Sequence, residues 1–184
     1  MSNPFVPVIL GTARPGRKSE AVAKHVVEVI RRRRLTTQLI DVADHVVTGT
    51  GHASAAGTLE QYGEIIRAAD GLVLVAPEYN HGYPGELKLL LDSQSAAYAR
   101  KPVGFVSVSA GLLGGARMVE QLRLVTVALR MVPVSPAVHV AEVADAFDDR
   151  DEFSSPGLRT VLDNMVDEVE WFARALTPSP VPVG

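Results

Sequence analysis

The chain has 184 residues, of which 47% are hydrophobic and 21% charged, as expected for one globular domain with one core. Its 18 basic and 21 acidic residues give a net charge of -3 and it contains no cysteine, which argues against a nucleic-acid partner and excludes disulfides, thiolate metal sites and a cysteine nucleophile. Because the sequence shows neither a signal peptide nor an apolar run of the ~20 residues that cross a bilayer, we expect a cytoplasmic protein with no membrane partner.

Short apolar runs alternate with amphipathic helical patterns along the chain. In chain order, beginning with a strand, these patterns predict alternating strands and helices at residues 6–10, 19–33, 35–40, 59–69, 71–76, 86–99, 103–108, 116–129, 131–140 and 156–176. Pro133 and Pro136 interrupt the fifth strand, which indicates an edge position because proline cannot donate to a neighbouring strand. Residues 42–57 are expected to form a long loop, and the proline-rich residues 177–184 a loose tail.

This alternation predicts an α/β fold. The chain contains no internal repeat and no linker that would divide it, so we expect a single domain over residues 1–184. Residues 71–76 are apolar apart from the leading glycine, as expected for a strand covered on both faces of a parallel sheet. Right-handed crossovers leave few topologies, of which a five-stranded doubly wound sheet is the simplest. In such sheets ligands bind beyond the carboxyl ends of the strands, which directs attention to the loops after strands one, three and four.

The first of these loops, residues 11–19, joins a strand to a helix N-terminus, where free N–H groups and the helix dipole favour an anion. Thr12 and Ser19 carry hydroxyl donors, and Arg14 and Arg17 can donate charge-assisted hydrogen bonds, so a terminal phosphate fits this loop. The alternative is that Ser19 only caps the helix and the arginines are solvated. Neither GxxxxGK[ST] nor GxGxxG occurs here, which argues against a P-loop or a Rossmann dinucleotide site.

The second loop, residues 77–85, follows the most apolar strand and contains two prolines and two glycines, which indicate a fixed backbone path. Tyr79 and Tyr83 are candidates to border a planar ring, and backbone N–H groups near Asn80 are candidates to donate to ring carbonyls or nitrogens. An ordinary turn with a solvated Glu78 is the alternative.

The third loop, residues 109–115, contains three glycines, which allow the backbone to approach a flat ligand closely. Alone, it is better explained as a tight turn into the following helix. Together, the three loops at one edge of one sheet provide the parts of a site for a phosphorylated planar cofactor.

Three stretches carry a resemblance to a known family: residues 11–17, 77–88 and 109–115, of which Pro-Glu-Tyr-Asn at 77–80 with its trailing Pro-Gly-x-Leu-Lys is the most specific. Over about residues 6–134 the chain resembles the NAD(P)H-dependent FMN reductases, which include azoreductases and quinone and chromate reductases. The resemblance implies a flavodoxin-like three-layer α/β/α sandwich whose five-stranded parallel sheet has the order 2-1-3-4-5.

The resemblance also implies roles for particular residues. Thr12, which stands where the family usually has serine, would hold the FMN phosphate with Arg14 and Arg17, and Ser19 lies beside them. The residues that would border the isoalloxazine and close its other edge are Pro77, Glu78, Tyr79, Asn80, Ser109, Ala110 and Gly111. His81 is a candidate contact for the acceptor or the nicotinamide. No side chain is expected to be catalytic, because the flavin itself transfers the hydride, and the five histidines lack metal-ligand spacing.

The function implied is that of an FMN-dependent NAD(P)H oxidoreductase. NADPH or NADH would reduce FMN and leave, and a small acceptor such as a flavin, a quinone, an azo compound or a metal ion would then be reduced, which predicts ping-pong kinetics. The resemblance further implies a homodimer or homotetramer, with residues 86–99 as a candidate interface helix. The alternatives are a flavodoxin-type electron carrier without enzymatic activity and a flavin-binding sensor; direct reduction by NAD(P)H distinguishes the enzyme from both.

Overall fold

The computed structural model describes residues 3–45 and 58–176, and within them strands and helices alternate in the order that the sequence predicts. The strands are β1 (Val8–Leu10), β2 (Leu39–Asp41), β3 (Leu72–Pro77), β4 (Pro102–Val108) and β5 (Val132–Val140). The helices are α1 (Ser19–Arg32), α2 (Thr58–Ala68), α3 (Gly85–Asp92), α4 (Ala116–Ala128) and α5 (Pro156–Leu176). Short 3-10 turns follow β2, α3 and β5, at Val42–Asp44, Ser95–Tyr98 and Val143–Asp145.

The five strands form one parallel sheet in the order β2-β1-β3-β4-β5, which confirms the predicted topology. Successive residues of a strand point to opposite faces: Val73 and Val75 of β3 pack in the layer that α1 and α5 cover, whereas Leu72 and Leu74 pack in the layer that contains α2, α3 and α4. The central strands are therefore buried on both faces, which explains their continuous apolar runs. Proline-rich β5 lies at an edge, as predicted.

Three element boundaries differ from the sequence predictions by more than one residue: the starts of β1 and β2 and the end of α3. β1 and β2 are shorter than predicted, because Pro7 has no N–H to donate and only isolated bonds such as Val6 N–H to Thr36 O (2.8 Å) extend the pairing towards their starts. The predicted helix over 86–99 ends at Asp92. Tyr98 lies in the 3-10 turn instead, where its buried hydroxyl is 2.5 Å from that of Tyr62.

Two predictions fall mainly outside the described residues. Of the predicted loop over 42–57, the structure describes a 3-10 turn at Val42–Asp44 and His45; residues 46–57 and the predicted tail over 177–184 are not among those described. Within residues 3–45 and 58–176, no helix has the length and apolar character needed to cross a membrane, and no group of three or more potential metal ligands occurs.

Candidate functional site

The loops that follow β1, β3 and β4 meet at the carboxyl edge of the sheet and enclose a cleft of about 360 Å3. The predicted site residues that line it are Arg14, Arg17, Ser19, Pro77, Glu78, Tyr79, Ser109 and Ala110. Thr12, Asn80 and Gly111 belong to the same loops without lining it. Val143, from the turn after β5, also lines the cleft; no sequence signal indicated this residue.

A larger cleft, of about 570 Å3, lies between α1 and residues 147–152. None of the predicted site residues lines it, and its charged residues are of both signs and partly paired with each other, as in the 2.6 Å contact of Arg32 with Glu152. We place the candidate site in the smaller cleft, because that cleft lies at the carboxyl edge of the strands, where ligands bind in this type of sheet.

Thr12 is fully buried at the start of the first loop. Its hydroxyl donates to Glu86 Oε1 (2.9 Å) and lies 3.1 Å from the Tyr79 hydroxyl, so it joins the first loop to the second loop and to α3. The Ala13 N–H also donates to Glu86 Oε1 (3.1 Å). Glu86 was part of the stretch that carries the resemblance, but its role as a hydrogen-bond acceptor here depends on α3 folding back against the first loop.

The two arginines of the first loop have different surroundings. Arg17 is mostly buried; its guanidinium forms a two-pronged ion pair with Asp41 at the end of β2 and donates to the carbonyl of Thr12 (2.5 Å). Its side chain is therefore not solvated, contrary to the alternative considered above, and it braces the loop against β2. Arg14 lies over the ring of Tyr79, 5.8 Å from the ring centroid, at a distance where the cation and the ring attract each other.

Ser19 is the first residue of α1 and only 2% exposed, and its buried hydroxyl has no hydrogen-bond partner among residues 3–45 and 58–176. The residue before it, Lys18, occupies the N-cap position, and no side chain of the described residues caps the helix. A buried hydroxyl without a partner carries a free-energy cost, which a bound oxyanion would remove. This residue lines the cleft beside free N–H groups of a helix N-terminus, so the site fits a phosphate.

The second loop is a tight hairpin. Tyr79 and Gly82 exchange two backbone hydrogen bonds of 2.9 Å, and the two residues between them, Asn80 and His81, have positive φ angles of 49° and 67°. Both central residues of such a turn are left-handed, as in the two-residue turns that suit a twisted hairpin. Gln121 of α4 donates to the carbonyl of His81 (2.8 Å) and so supports the tip.

Glu78 connects this hairpin to α4. Its side chain is 7% exposed, accepts from Arg117 Nε (2.8 Å), and lies 2.6 Å from Arg117 Nη2 and 3.4 Å from the backbone N–H of Met118. The alternative of a solvated Glu78 is therefore wrong. The carboxylate lies beside the first turn of α4, where the helix dipole favours a negative charge.

The third loop is shaped by its own hydrogen bonds and by glycine. The Ser109 hydroxyl accepts from the Gly111 N–H (2.8 Å) and lies 2.9 Å from the carbonyl of the same residue. Gly115 has a φ of 84°, and a Cβ at this position would lie 2.9 Å from the Ser107 Cβ, so only glycine fits here without strain. The loop therefore reaches α4 along a fixed path.

His139, which sequence reasoning did not single out, lies beneath the third loop on β5. The Ser107 hydroxyl donates to the carbonyl of Gly114 (2.6 Å) and lies 2.8 Å from His139 Nδ1. Because a hydroxyl has one proton, His139 carries its own proton on Nδ1 and donates it to Ser107. Burial, and secondarily the charge of Arg123, lower the pKa of His139, which keeps the imidazole neutral at neutral pH.

Comparison with known proteins identifies the family. The family model for NADPH-dependent FMN reductases matches residues 5–145. The chain belongs to this family. It is 34% identical over 131 residues to a quinone reductase of Escherichia coli, covering 67% of this chain and 70% of that protein, and 28% identical over 180 residues to an FMN-dependent NADPH-azoreductase of Staphylococcus haemolyticus, covering 90% and 93%.

A solved structure supports the fold. The flavoenzyme FerB of Paracoccus denitrificans, an NAD(P)H:acceptor oxidoreductase, superposes with a TM-score of 0.79 at 20% identity, covering 94% of this chain and 98% of that one.

Membership of the NADPH-dependent FMN reductase family confirms the predicted cofactor, FMN, the predicted electron donor, NAD(P)H, and the predicted oxidoreductase activity. Which residues of this FMN reductase hold the flavin stays a prediction.

Proposed function

We propose that the cleft at the carboxyl edge of the sheet binds FMN and that the enzyme passes electrons from NAD(P)H to a quinone-type acceptor. The observation that carries the placement of the flavin phosphate is the buried Ser19 hydroxyl, which has no hydrogen-bond partner in the described part of the chain and lines the cleft at the start of α1. The preference for quinones is supported by the relative at 34% identity, which is a quinone reductase.

The proposed phosphate site consists of the first loop and the start of α1. The Ser19 hydroxyl and the free N–H groups of the first turn would donate to the phosphate. Arg14 would add a cation at the rim, where Tyr79 limits its movement. Arg17 would act through its ion pair with Asp41, which fixes the backbone of the loop.

The proposed ring site lies between the second and third loops. The hairpin after Glu78 is fixed on one side by the Arg117 ion pair and at its tip by Gln121, so its backbone N–H groups would meet the ring without reorganising. The Ser109–Ala110–Gly111 segment would close the other edge. When bound, FMN would carry out the hydride and electron transfer, and the protein would bind and orient the flavin. No side chain is assigned a nucleophilic or acid–base role.

We also propose that a second copy of the chain covers the third loop. Leu112 and Leu113, adjacent in the third loop, are 81% and 58% exposed, and Leu124 and Val127 are exposed on α4; exposed large apolar residues of this kind favour an interaction surface. α3 is a poor interface candidate, because Leu87, Leu90 and Leu91 are already buried against the sheet. The homodimer or homotetramer and the cytoplasmic location stay predictions.

The phosphate placement is tested by replacing Ser19. We expect Ser19→Ala to weaken FMN binding by roughly tenfold or more through the loss of a charge-assisted hydrogen bond, and to leave riboflavin binding unchanged. Ser95→Ala, at an exposed position of the turn after α3, is the control. Flavin fluorescence titration gives both affinities. Equal effects of Ser19→Ala on FMN and riboflavin would place the phosphate elsewhere.

The reaction is tested by initial rates with NADPH and a benzoquinone at varied concentrations of both. A donor that leaves before the acceptor binds gives parallel double-reciprocal lines. If the FMN-loaded enzyme reduced no quinone with either NADPH or NADH as donor, the proposed acceptor class would be wrong.

A further inference from the structure

Glu86, at the second position of α3, brings a carboxylate into the first loop. Its Oε1 accepts from two donors of that loop, the Thr12 hydroxyl (2.9 Å) and the Ala13 N–H (3.1 Å). These two groups lie in the loop where the phosphate of FMN is expected, and the carboxylate occupies them with a negative acceptor from the protein itself.

The hydrogen-bond directions follow from the single proton of Thr12. Because this proton goes to Glu86, the Tyr79 hydroxyl donates to Thr12 Oγ1 (3.1 Å), and the Arg14 N–H (3.3 Å) donates to the same oxygen. Thr12 has no second proton to offer a phosphate. A phosphate that used the Thr12 hydroxyl would have to displace the Glu86 carboxylate.

No ion pair neutralises the Glu86 carboxylate within the described residues. Arg17 is already paired with Asp41 and also lies 3.6 Å from Glu20. Arg14 and Lys18 remain as cations lining the cleft, and neither has an ion pair with Glu86 in the described part of the chain. A dianionic phosphate in this loop would therefore experience repulsion from Glu86 that riboflavin, which lacks the phosphate, would not.

We propose that Glu86 determines flavin specificity by weakening the binding of the 5′-phosphate, so that the enzyme distinguishes FMN from riboflavin only weakly. The inference rests on the proposed placement of the phosphate in the first loop. The carboxylate accepts from the Thr12 hydroxyl and the Ala13 N–H when no phosphate is present, and its charge disfavours the phosphate when one arrives. FMN is then held as an exchangeable ligand.

The test compares the native protein with Glu86→Gln. The amide oxygen of glutamine still accepts from Thr12 and Ala13, so the variant removes the charge and keeps both hydrogen bonds. Glu64→Gln, which removes the same charge from an exposed position of α2, is the matched control. The dissociation constants of FMN and riboflavin are measured by flavin fluorescence at low and at high salt, and thermal unfolding reports whether each variant is folded.

We expect Glu86→Gln to bind FMN on the order of tenfold more tightly, with riboflavin unchanged and with a smaller effect at high salt. Glu64→Gln should bind both flavins like the native protein. Glu86→Ala, which also frees the two donors, should show a gain for FMN in the same direction.

Three outcomes would overturn the inference. Weaker or unchanged FMN binding by Glu86→Gln would mean that the carboxylate supports the phosphate by orienting the loop, or has no effect on it. An equal gain for FMN and riboflavin would mean that the effect does not involve the phosphate. If neither protein bound either flavin, the proposed site itself would be wrong and the inference would fail with it, a result that the riboflavin titration separates from the first two.

Discussion

His81 has a left-handed backbone at the tip of the hairpin that follows β3, with a φ of 67°. Side chains other than glycine and asparagine adopt this conformation at a cost of about 1–3 kcal/mol, and a β-branched residue does so at a higher cost than histidine. His81→Gly should therefore raise the free energy of unfolding by about 1 kcal/mol. His81→Val should lower it by a similar amount.

Urea unfolding of the two His81 variants measures the difference directly. Because His81 is exposed, the change in side-chain size alone should have little effect on stability. A shift in the same direction for both variants would therefore contradict the explanation by backbone strain. The result also bears on the candidate contact between His81 and the acceptor, because His81→Gly removes the imidazole without straining the hairpin.

Glu78 and Arg117 connect the hairpin to α4 through a carboxylate that is only 7% exposed. Glu78→Ala leaves the guanidinium and the Met118 N–H without this acceptor, so we expect a loss of about 1–2 kcal/mol of unfolding free energy, discounted because Arg117 is 46% exposed. FMN affinity should also fall, since the hairpin would no longer be held in place.

The matched control for Glu78 is the exposed pair of Lys88 with Asp92 on α3. Lys88→Ala should cost at most a few tenths of a kcal/mol. If denaturant unfolding gave equal losses for Glu78→Ala and Lys88→Ala, the ion pair at the site would be no stronger than an ordinary surface pair.

At the scale of elements, a buried pair of tyrosines joins α2 to the turn after α3. The hydroxyls of Tyr62 and Tyr98 are 2.5 Å apart, and burial raises the pKa of both phenols well above the ordinary value. The folded state therefore keeps both protons at a pH where the unfolded chain has lost them. The stability contribution is complete below about pH 10 and is lost as the pH rises further.

We expect the free energy of unfolding to begin to fall above about pH 9. Above pH 10, each tyrosine contributes a fall of up to about 1.4 kcal/mol per pH unit. The double variant Tyr62→Phe/Tyr98→Phe, which removes both hydroxyls together and leaves no unpaired one, should show a shallower fall. Equal slopes for the native protein and the double variant would show that other groups cause the alkaline loss.

The elements themselves were predictable where burial is complete. β3 and β4 are buried on both faces, so their apolar runs marked them within a residue or two. The predicted helix over 86–99 was too long, because its end depends on the Tyr98 hydroxyl reaching Tyr62, 36 residues away. Residues 93–95 are polar and residues 96–99 are apolar, a pattern that gives no sign of that contact.

At the scale of the whole molecule, parallel topology explains how far the sequence could place the site. The order β2-β1-β3-β4-β5 brings the loops after β1, β3 and β4 to one edge, so loops far apart in sequence could be grouped in advance. The partners of individual side chains could not be predicted. Arg17 with Asp41, Glu78 with Arg117, and Thr12 with Glu86 are separated by 24, 39 and 74 residues, and only the folded chain shows which cations are already paired.

The same limit applies to charge. The first loop contains two arginines and a lysine and by composition is a strongly basic anion site. In the folded protein Arg17 is bound to Asp41 and the loop contains the Glu86 carboxylate, so its net field is weaker than the sequence implies. The composition of the loop alone therefore overstates the positive charge that the folded loop presents.

The central claim, that this FMN reductase binds FMN in the cleft and receives electrons directly from NAD(P)H, is tested by the visible spectrum of the protein with added FMN before and after anaerobic NADPH. We predict a bound-flavin spectrum that bleaches on addition of NADPH, or of NADH where that donor is preferred. Bound flavin that stays oxidised with both donors would contradict direct reduction and favour an electron carrier or sensor, and a spectrum of free flavin alone would contradict the proposed site.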